Sequence, residues 1–131
     1  MTEVPLLPAE IELGKARRLL DAAEHLARGG FHEDAVSRAY YAVFHAGCAL
    51  LASIGRTVRT HDGLRATIGE HFVRTGRLEP RFARVLTRSA ADRNDADYNS
   101  TAVFLAKDAE EAIQGAREFV GAVEGLLAAG A

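Results

Sequence analysis

Residues 31–55 read FHEDAVSRAYYAVFHAGCALLASIG, and this segment carries the strongest signal of the fold class. It is the least polar segment of the chain, and its small residues recur every three or four positions. That spacing places them on one face of an α helix, where a neighbouring helix can approach closely. The small residues are Ala39, Ala42, Ala46 and Ala49, with Gly47 nearby. The pattern predicts a helix from about residue 31 to 54, closed by Gly55, at the centre of a helical bundle.

Two further helices are predicted next to this central one. Apolar residues keep helical spacing from Pro8 to Gly29, where the glycine marks the end of the helix. A shorter pattern with the same spacing covers about residues 62–74. Both segments would pack an apolar face against the central helix.

The last third of the chain holds two more predicted helices. Pro80 suits the first turn of a fourth helix. Ser100 is predicted to cap a long fifth helix, with Val103 facing inward. Because strand-like alternation is nearly absent, the sequence predicts an all-α, up-and-down bundle of four to five helices. This bundle forms a single domain over residues 1–131, with its core at about 9–128.

The composition argues against a disordered chain, a collagen-like protein and a disulfide scaffold. The 131 residues are 48% hydrophobic and 26% charged, with a net charge of −2, which fits a globular domain without a global basic field. The lone cysteine, Cys48, lies in the apolar helix and is predicted to be a core residue. No spacing typical of a metal site is present, and we expect no metal or cofactor. Without a signal peptide or an apolar run of ~20 residues, the chain is expected to be soluble, cytoplasmic and not membrane-bound.

Alanine is abundant in the predicted helices, and each alanine side chain buries little area. A bundle of this size therefore leaves an apolar face that a second copy would complete. The sequence predicts a homodimer.

Positive charge is concentrated in residues 56–93, which hold nine arginines against four acids, a net charge of +5. The remaining residues therefore carry −7. Four of these arginines follow helical spacing: Arg77, Arg81, Arg84 and Arg88. Arginine forks match phosphate oxygens, so this stripe is a candidate for binding a nucleotide or a nucleic-acid backbone. The alternative is an ordinary solvated face, or one paired with the acids of the first and fifth helices.

A second candidate group lies on the central helix. Arg38, Tyr41 and His45 are spaced so that all three project from one side. In the functional interpretation, His45 acts as an acid or a base and Arg38 holds a phosphate. The alternative is a buried histidine and tyrosine that form internal hydrogen bonds. His61, in the next loop, is a further binding candidate, or else it caps the third helix and packs the loop.

The third candidate group is the segment RNDADYN, which ends the fourth helix. It contains Arg93, Asp95, Asp97 and Tyr98. An arginine four residues before an aspartate favours a local ion pair. The functional interpretation is a polar mouth in which Arg93 binds a phosphate and Tyr98 offers its hydroxyl.

Several strings, in order, resemble the HEPN family of small helical proteins. They are SRAYYAVFHAGCALLASIG, then TH at Thr60 and His61, then FVRTGRLE and RNDADY. The likeness extends over about residues 10–119. It implies a bundle of four or five helices that dimerises. It also implies pairing with a minimal nucleotidyltransferase, often as a toxin–antitoxin pair.

The resemblance also implies a possible catalytic motif. Many active members of the family are metal-independent ribonucleases with an arginine followed, after four to six residues, by a histidine. Here the arginine corresponds to Arg93, but Asp97, Tyr98 and Asn99 occupy the positions where a histidine is expected. Arg38 and His45 satisfy the spacing, although they lie within the central helix. Tyr98 is close to the position of a tyrosine that the partner enzyme adenylylates in some pairs.

Three functions follow from these observations. The first is a HEPN binding module that forms a homodimer, pairs with a minimal nucleotidyltransferase and binds the phosphates of a nucleotide or RNA. The alternative is a metal-independent endoribonuclease toxin that uses Arg93, or Arg38 and His45. The third is a purely structural bundle whose polar groups hydrogen-bond internally. The sequence alone leaves open whether the protein is an enzyme.

Overall fold

The computed structural model describes residues 7–130, and the two ends of the predicted domain, residues 1–6 and 131, lie outside the described residues. Over this range the chain forms α helices and no strand, which confirms the all-α prediction. A π-helical turn, Gly69–Val73, continues the third helix. The α helices are α1 Ala9–Arg28, α2 His32–Ala52, α3 His61–Ile68, α4 Arg81–Tyr98 and α5 Ala106–Ala128.

Helix α2 lies at the centre of the bundle, as predicted, and contacts each of the other four α helices. Its alanines at positions 39, 42, 46 and 49 are at most 1% exposed. A Cβ atom added to Gly47 would lie 2.9 Å from both terminal methyl groups of Leu64. The small residues therefore permit the close packing of α3 on α2.

The rest of the core combines further alanines with larger apolar side chains from every helix. Phe82 of α4 packs edge-on against Phe119 of α5, with ring centroids 5.9 Å apart. Ion pairs between Arg17 and Glu124 and between Arg117 and Glu24 join α1 to α5 at the surface. The largest fully buried side chains are Phe72, Phe119, Leu50, Leu51, Leu64, Ile68, Leu86, Val43 and Val123.

The third predicted helix has nearly the expected extent, but its second half is the π-helical turn rather than α helix. Leu64, Ile68 and Phe72 are all fully buried, in steps of four residues. An α helix turns by more than a full circle in four residues, so such steps drift around its surface. The wider π turn reduces this drift and keeps Phe72 in the core.

The prediction for the start of the fifth helix is wrong. Ser100 does not cap it, because α5 begins at Ala106. The N–H of Leu105 instead donates a hydrogen bond to Asp108 Oδ2 at 2.8 Å. Val103, predicted to face inward, is 78% exposed.

The side chain of Asn99 explains this difference. Asn99 Oδ1 accepts hydrogen bonds from the backbone N–H of Thr101 at 3.1 Å and from its hydroxyl at 2.8 Å. Such a bond two residues ahead favours a turn over a helix. The segment 99–105 therefore connects α4 to α5 as an irregular loop.

The described helices lack two features, a membrane-spanning segment and a cluster of metal ligands. Between residues 7 and 130, no helix is both long enough and apolar enough to cross a membrane. In the same range, no three His, Cys, Asp or Glu side chains are grouped so that they could hold a metal ion.

Candidate functional site

The candidate residues on α2 and α4, predicted separately, lie around one cavity. Arg38, Tyr41 and His45 of α2 line it together with Asp97 of α4. The cavity has a volume of about 360 Å³. We call it the Tyr41 cleft, and its other lining residues are Lys15, Leu19, Asp34 and Ser37.

Arg93 lies beside the Tyr41 cleft and contacts its lining residues. Its guanidinium carbon is 4.8 Å from the ring centroid of Tyr40 and 5.9 Å from that of Tyr41. Its Nη1 is 3.8 Å from Asp97 Oδ2, which is a loose ion pair. Its Nε is buried and makes no hydrogen bond to any described residue. Arg93 is therefore positioned by two aromatic rings while part of its donor capacity is unused.

Tyr40 and His61 form the buried side of this cluster, with ring centroids 5.7 Å apart. Burial raises the pKa of the Tyr40 hydroxyl, although nearby Arg93 opposes the shift. Burial also lowers the pKa of His61, and the positive charges of Arg65 and Arg93 add to this effect against Asp62. Both rings are therefore neutral near pH 7.

His61 is not the cap of α3. Thr60 takes that role, since its hydroxyl oxygen accepts a hydrogen bond from the N–H of Gly63 at 3.0 Å. His61 is the first residue of the helix, and its Nδ1 is buried without a hydrogen bond to the described residues. His61 therefore lies in α3 rather than in the preceding loop and packs against Tyr40, and the capping role belongs to its neighbour Thr60.

Glu12 of α1 is a site residue that sequence reasoning missed. Its Oε1 is 3.0 Å from His45 Nδ1, and the two side chains are only 18% and 27% exposed. The carboxylate fixes the orientation of the imidazole, and Nε2 is the ring nitrogen that Glu12 does not engage. A signal was present, because Glu12 stands one helical turn before Ala16 at the start of an apolar stripe.

Cys48 lies one turn beyond His45 on α2 and also interacts with Glu12. Burial, reinforced by the negative charge of Glu12, raises the pKa of the Cys48 thiol to about 12. The thiolate is the reactive form of cysteine, so Cys48 is not a nucleophile near pH 7.

The arginine stripe differs from its prediction in one respect, the position of Arg77. Arg77 lies before the first residue of α4, and its guanidinium stacks over the ring of Phe72 at 4.6 Å. Arg81 donates hydrogen bonds to Glu118 of α5 at 2.8 Å and to Glu79 at 3.1 Å. These hydrogen bonds raise the pKa of Arg81. The pairing with acids that the sequence offered as an alternative is therefore present on the α5 side.

The rest of the stripe shows the same trend. Arg88 lies 3.3 Å from Glu111 Oε2 of α5 and 3.8 Å from Asp92 Oδ2. Arg84 is exposed on the outer surface of α4. Phosphate binding by the stripe stays a prediction, and two of its four members already have carboxylate partners.

Tyr98 is not brought into the Tyr41 cleft. It is the last residue of α4, is 73% exposed and does not line the cavity. Asp95, from the same segment, lines a different cavity between α4 and α5. The roles predicted for Tyr98 stay predictions.

Known proteins resemble this chain over most of its length. The family model described as "HEPN domain" matches residues 9–126. A Thermotoga maritima protein named "UPF0332 protein" is 31% identical over 113 residues, which covers 86% of both chains. A Methanocaldococcus jannaschii protein named "Putative toxin MJ0605" is 36% identical over 112 residues, covering 86% of this chain and 83% of the relative. The chain therefore belongs to the HEPN domain family.

Proposed function

We propose that this protein is a toxin-type HEPN binding module that holds a phosphate of RNA or of a nucleotide at the Tyr41 cleft. The observation that carries the proposal is the convergence of Arg38 and Lys15 at the cleft, with the guanidinium of Arg93 beside it in a loose ion pair with Asp97. Arginine forks are well suited to phosphate oxygens. The toxin assignment is supported by the name of the Methanocaldococcus jannaschii relative, "Putative toxin MJ0605".

The other lining residues suit the remaining parts of a nucleotide. The carboxylates of Asp34 and Asp97 are acceptors for ribose hydroxyl groups, and the ring of Tyr41 is a surface for a base. The volume of about 360 Å³ falls within the range of small-ligand sites and fits about one nucleotide. The cleft would therefore take a single unit of an RNA chain or a free mononucleotide.

Two protein contacts belong to the same proposal. The HEPN module forms a homodimer and pairs with a minimal nucleotidyltransferase, in the cytoplasm. Family membership supports both contacts. Light scattering should return the mass of a dimer at micromolar concentration, and co-expression with a nucleotidyltransferase from a neighbouring gene should yield a complex. A monomer mass in light scattering would contradict the homodimer. Failure to form a complex on co-expression would contradict the pairing with the nucleotidyltransferase.

RNA binding is the direct test of the cleft. Fluorescence anisotropy would follow a labelled single-stranded RNA in EDTA with wild type, Arg38→Ala and Arg84→Ala. We expect Arg38→Ala to weaken binding and Arg84→Ala, an exposed arginine on the outer surface of α4, to leave it unchanged. If RNA affinity falls equally in both variants, or only in Arg84→Ala, the RNA-binding site would be assigned to the arginine stripe instead. Absence of binding by wild type would overturn the proposal.

A second candidate function is metal-independent RNA cleavage, and the contact between Glu12 and His45 favours it. A carboxylate that orients an imidazole is a recurring arrangement in general acid–base catalysis. His45 would take the proton of a 2′-hydroxyl while that oxygen attacks the adjacent phosphorus. The bond from phosphorus to the 5′-oxygen then breaks, and this oxygen takes a proton from water, leaving a 2′,3′-cyclic phosphate, a free 5′-hydroxyl and the protonated imidazole of His45, which returns its proton to solvent. An arginine at or beside the cleft would stabilise the charge that develops on the phosphate.

Cleavage separates this second candidate from simple binding. Wild type, His45→Ala and the control His25→Ala, an exposed histidine of α1, would be incubated with an RNA pool in EDTA. The ribonuclease candidate predicts cleavage by wild type and His25→Ala but not by His45→Ala. Intact RNA in every tube would reject it and leave the binding module. Cleavage that persists in His45→Ala would reject His45 as the base.

A further inference from the structure

We propose that an acidic, partly apolar groove between α4 and α5 docks a basic amphipathic helix of a partner protein. The proposal rests on the partner role proposed above and adds the surface and the chemistry of the contact. The groove is a cavity of about 400 Å³. It contains four carboxylates, Asp92, Asp95, Asp108 and Glu111, together with the apolar residues Val36, Val85, Ala102, Val103, Phe104 and Ala112.

Charge in the groove is unbalanced. Arg88 is the single cation among the lining residues, and it is shared between Asp92 and Glu111. Burial raises the pKa of Asp92 against the effect of Arg88, and the charges of Asp95, Asp108 and Glu111 raise it further. These carboxylates repel one another in the free protein, and a ligand with several cations would relieve that repulsion.

The apolar part of the groove continues beyond the cavity. A neighbouring cavity of about 350 Å³ shares Val103 and Phe104 and adds Phe31. Val103 is 78% exposed and Phe31 is 58% exposed, and Leu105 of the same loop is 57% exposed. Exposed apolar side chains beside acidic ones fit a helix with an apolar stripe flanked by lysine or arginine.

The chain itself offers no good occupant. Residues 1–6 carry Glu3 and no lysine or arginine, so they lack the complementary charge. A second copy that presented its arginine stripe would bring Arg81 and Arg88, which already contact carboxylates of their own chain. A separate basic segment is the occupant that matches both the charge and the apolar surface.

A peptide probe tests the groove directly. The probe is a labelled synthetic 18-residue helix with a leucine stripe flanked by lysines, and its binding is followed by anisotropy. We expect binding to weaken by about tenfold in the double variant Asp95→Asn/Glu111→Gln, since both charges face the groove. Val103→Ser should weaken it as well. The matched control Glu10→Gln/Asp21→Asn, which removes two exposed acids of α1, should bind as wild type does.

Three results would overturn the proposal. The first is failure of wild type to bind the peptide, and the second is equal weakening in groove and control variants. The third is a wild type that sediments as a dimer and a double variant, Asp95→Asn/Glu111→Gln, that sediments as a monomer. That result would assign the groove to a second copy. Circular dichroism verifies that the variants fold.

Co-expression separates this inference from the proposed function. If the wild type forms no complex with the nucleotidyltransferase, the partner role fails. If the wild-type complex forms and survives Asp95→Asn/Glu111→Gln, the partner role stands and the groove proposal fails. If the complex is lost in the groove variant and retained in Glu10→Gln/Asp21→Asn, the result supports both the partner role and the groove proposal.

Discussion

Arg81 and Arg93 lie on the same helix, α4, but their guanidinium groups have different surroundings. Arg81 is 43% exposed and donates hydrogen bonds to two carboxylates, Glu79 and Glu118. Arg93 is 22% exposed, stacks on Tyr40, and has a buried Nε without a hydrogen bond to the described residues. The arginine stripe predicts Arg81, and the segment RNDADYN predicts Arg93, as candidate phosphate ligands. Neither pattern shows which of the two guanidinium groups is already paired with carboxylates of the chain.

The pairing on the outer side of α4 has a simple geometric origin. Arg81 and Arg88 are seven residues apart, as are Glu111 and Glu118 of α5. Because the spacing is the same on both helices, each arginine of α4 lies opposite one glutamate of α5. Arg81 contacts Glu118, and Arg88 contacts Glu111. Surface pairs of this kind contribute little to stability, but they occupy the donors that a phosphate would need.

Replacing Arg93 should have the largest effect on ligand binding. Arg93→Ala removes the charged fork next to the Tyr41 cleft, and we expect RNA affinity to fall roughly tenfold to a hundredfold, the value of a hydrogen bond to a charged group. Arg93→Lys should recover only part of the loss, because lysine keeps the charge without the planar fork. Anisotropy with labelled RNA measures both variants. Arg81→Ala is the control, and a loss as large in that variant would remove the distinction between the two arginines.

Breaking the contact between Glu12 and His45 should have the largest effect on stability. His45→Ala leaves the mostly buried carboxylate of Glu12 without its imidazole partner, which should lower the free energy of unfolding by about 1–3 kcal/mol. Urea denaturation at pH 7 measures this change. A double-mutant cycle with Glu12→Ala should show less than additive losses. Additive losses, or an effect of His45→Ala no larger than that of His25→Ala, would mean that the contact does not stabilise the protein.

His61 should make stability depend on pH. Its pKa is lowered from 6.5 in the folded protein, so the unfolded chain binds the proton more readily. The free energy of unfolding contributed by this group should therefore fall as the pH decreases below about 6.5. Urea denaturation at several pH values should give a shallower pH dependence for His61→Asn than for wild type. Identical profiles would contradict the burial of His61 beside Tyr40 and Arg93.

Removing the outer ion pairs should have the smallest effect. Arg81→Ala breaks two exposed ion pairs and removes the guanidinium that lies 4.2 Å from the ring centroid of Phe82. We expect a small decrease in the urea midpoint that becomes smaller at high salt. The same measurement on Glu118→Gln should give a similar result. A decrease as large as that of His45→Ala, or one that persists at high salt, would show that the outer pairs do more than neutralise charge.

Much of the fold could be predicted from the sequence because apolar spacing and helix ends are local signals. The central position of α2 follows from its small residues, and Gly55, with a φ of +71°, ends its segment where predicted. The start of α5 could not be predicted in this way, since both Ser100 and Asn99 are good candidates for a local hydrogen bond. Asn99 forms an Asx turn and delays the helix to Ala106.

The candidate site could be predicted only in part. Spacing on α2 identified Arg38, Tyr41 and His45, which the structure brings together with Asp97. The role of Glu12 depends on how α1 packs against α2, and spacing within one helix carries no information about that. The same limit explains why the sequence offered the pairing of Arg81 only as one alternative, since its partner Glu118 lies 37 residues away on α5.

The most direct test of the difference between the two sides of α4 is an NMR titration with adenosine monophosphate, observing the Nε–Hε signals of the arginines. The proposed function predicts concentration-dependent shifts for Arg93 and Arg38, while the signals of Arg81 and Arg88 stay in place. Movement of Arg81 and Arg88 with no change at Arg93 would contradict it and assign the phosphate site to the arginine stripe.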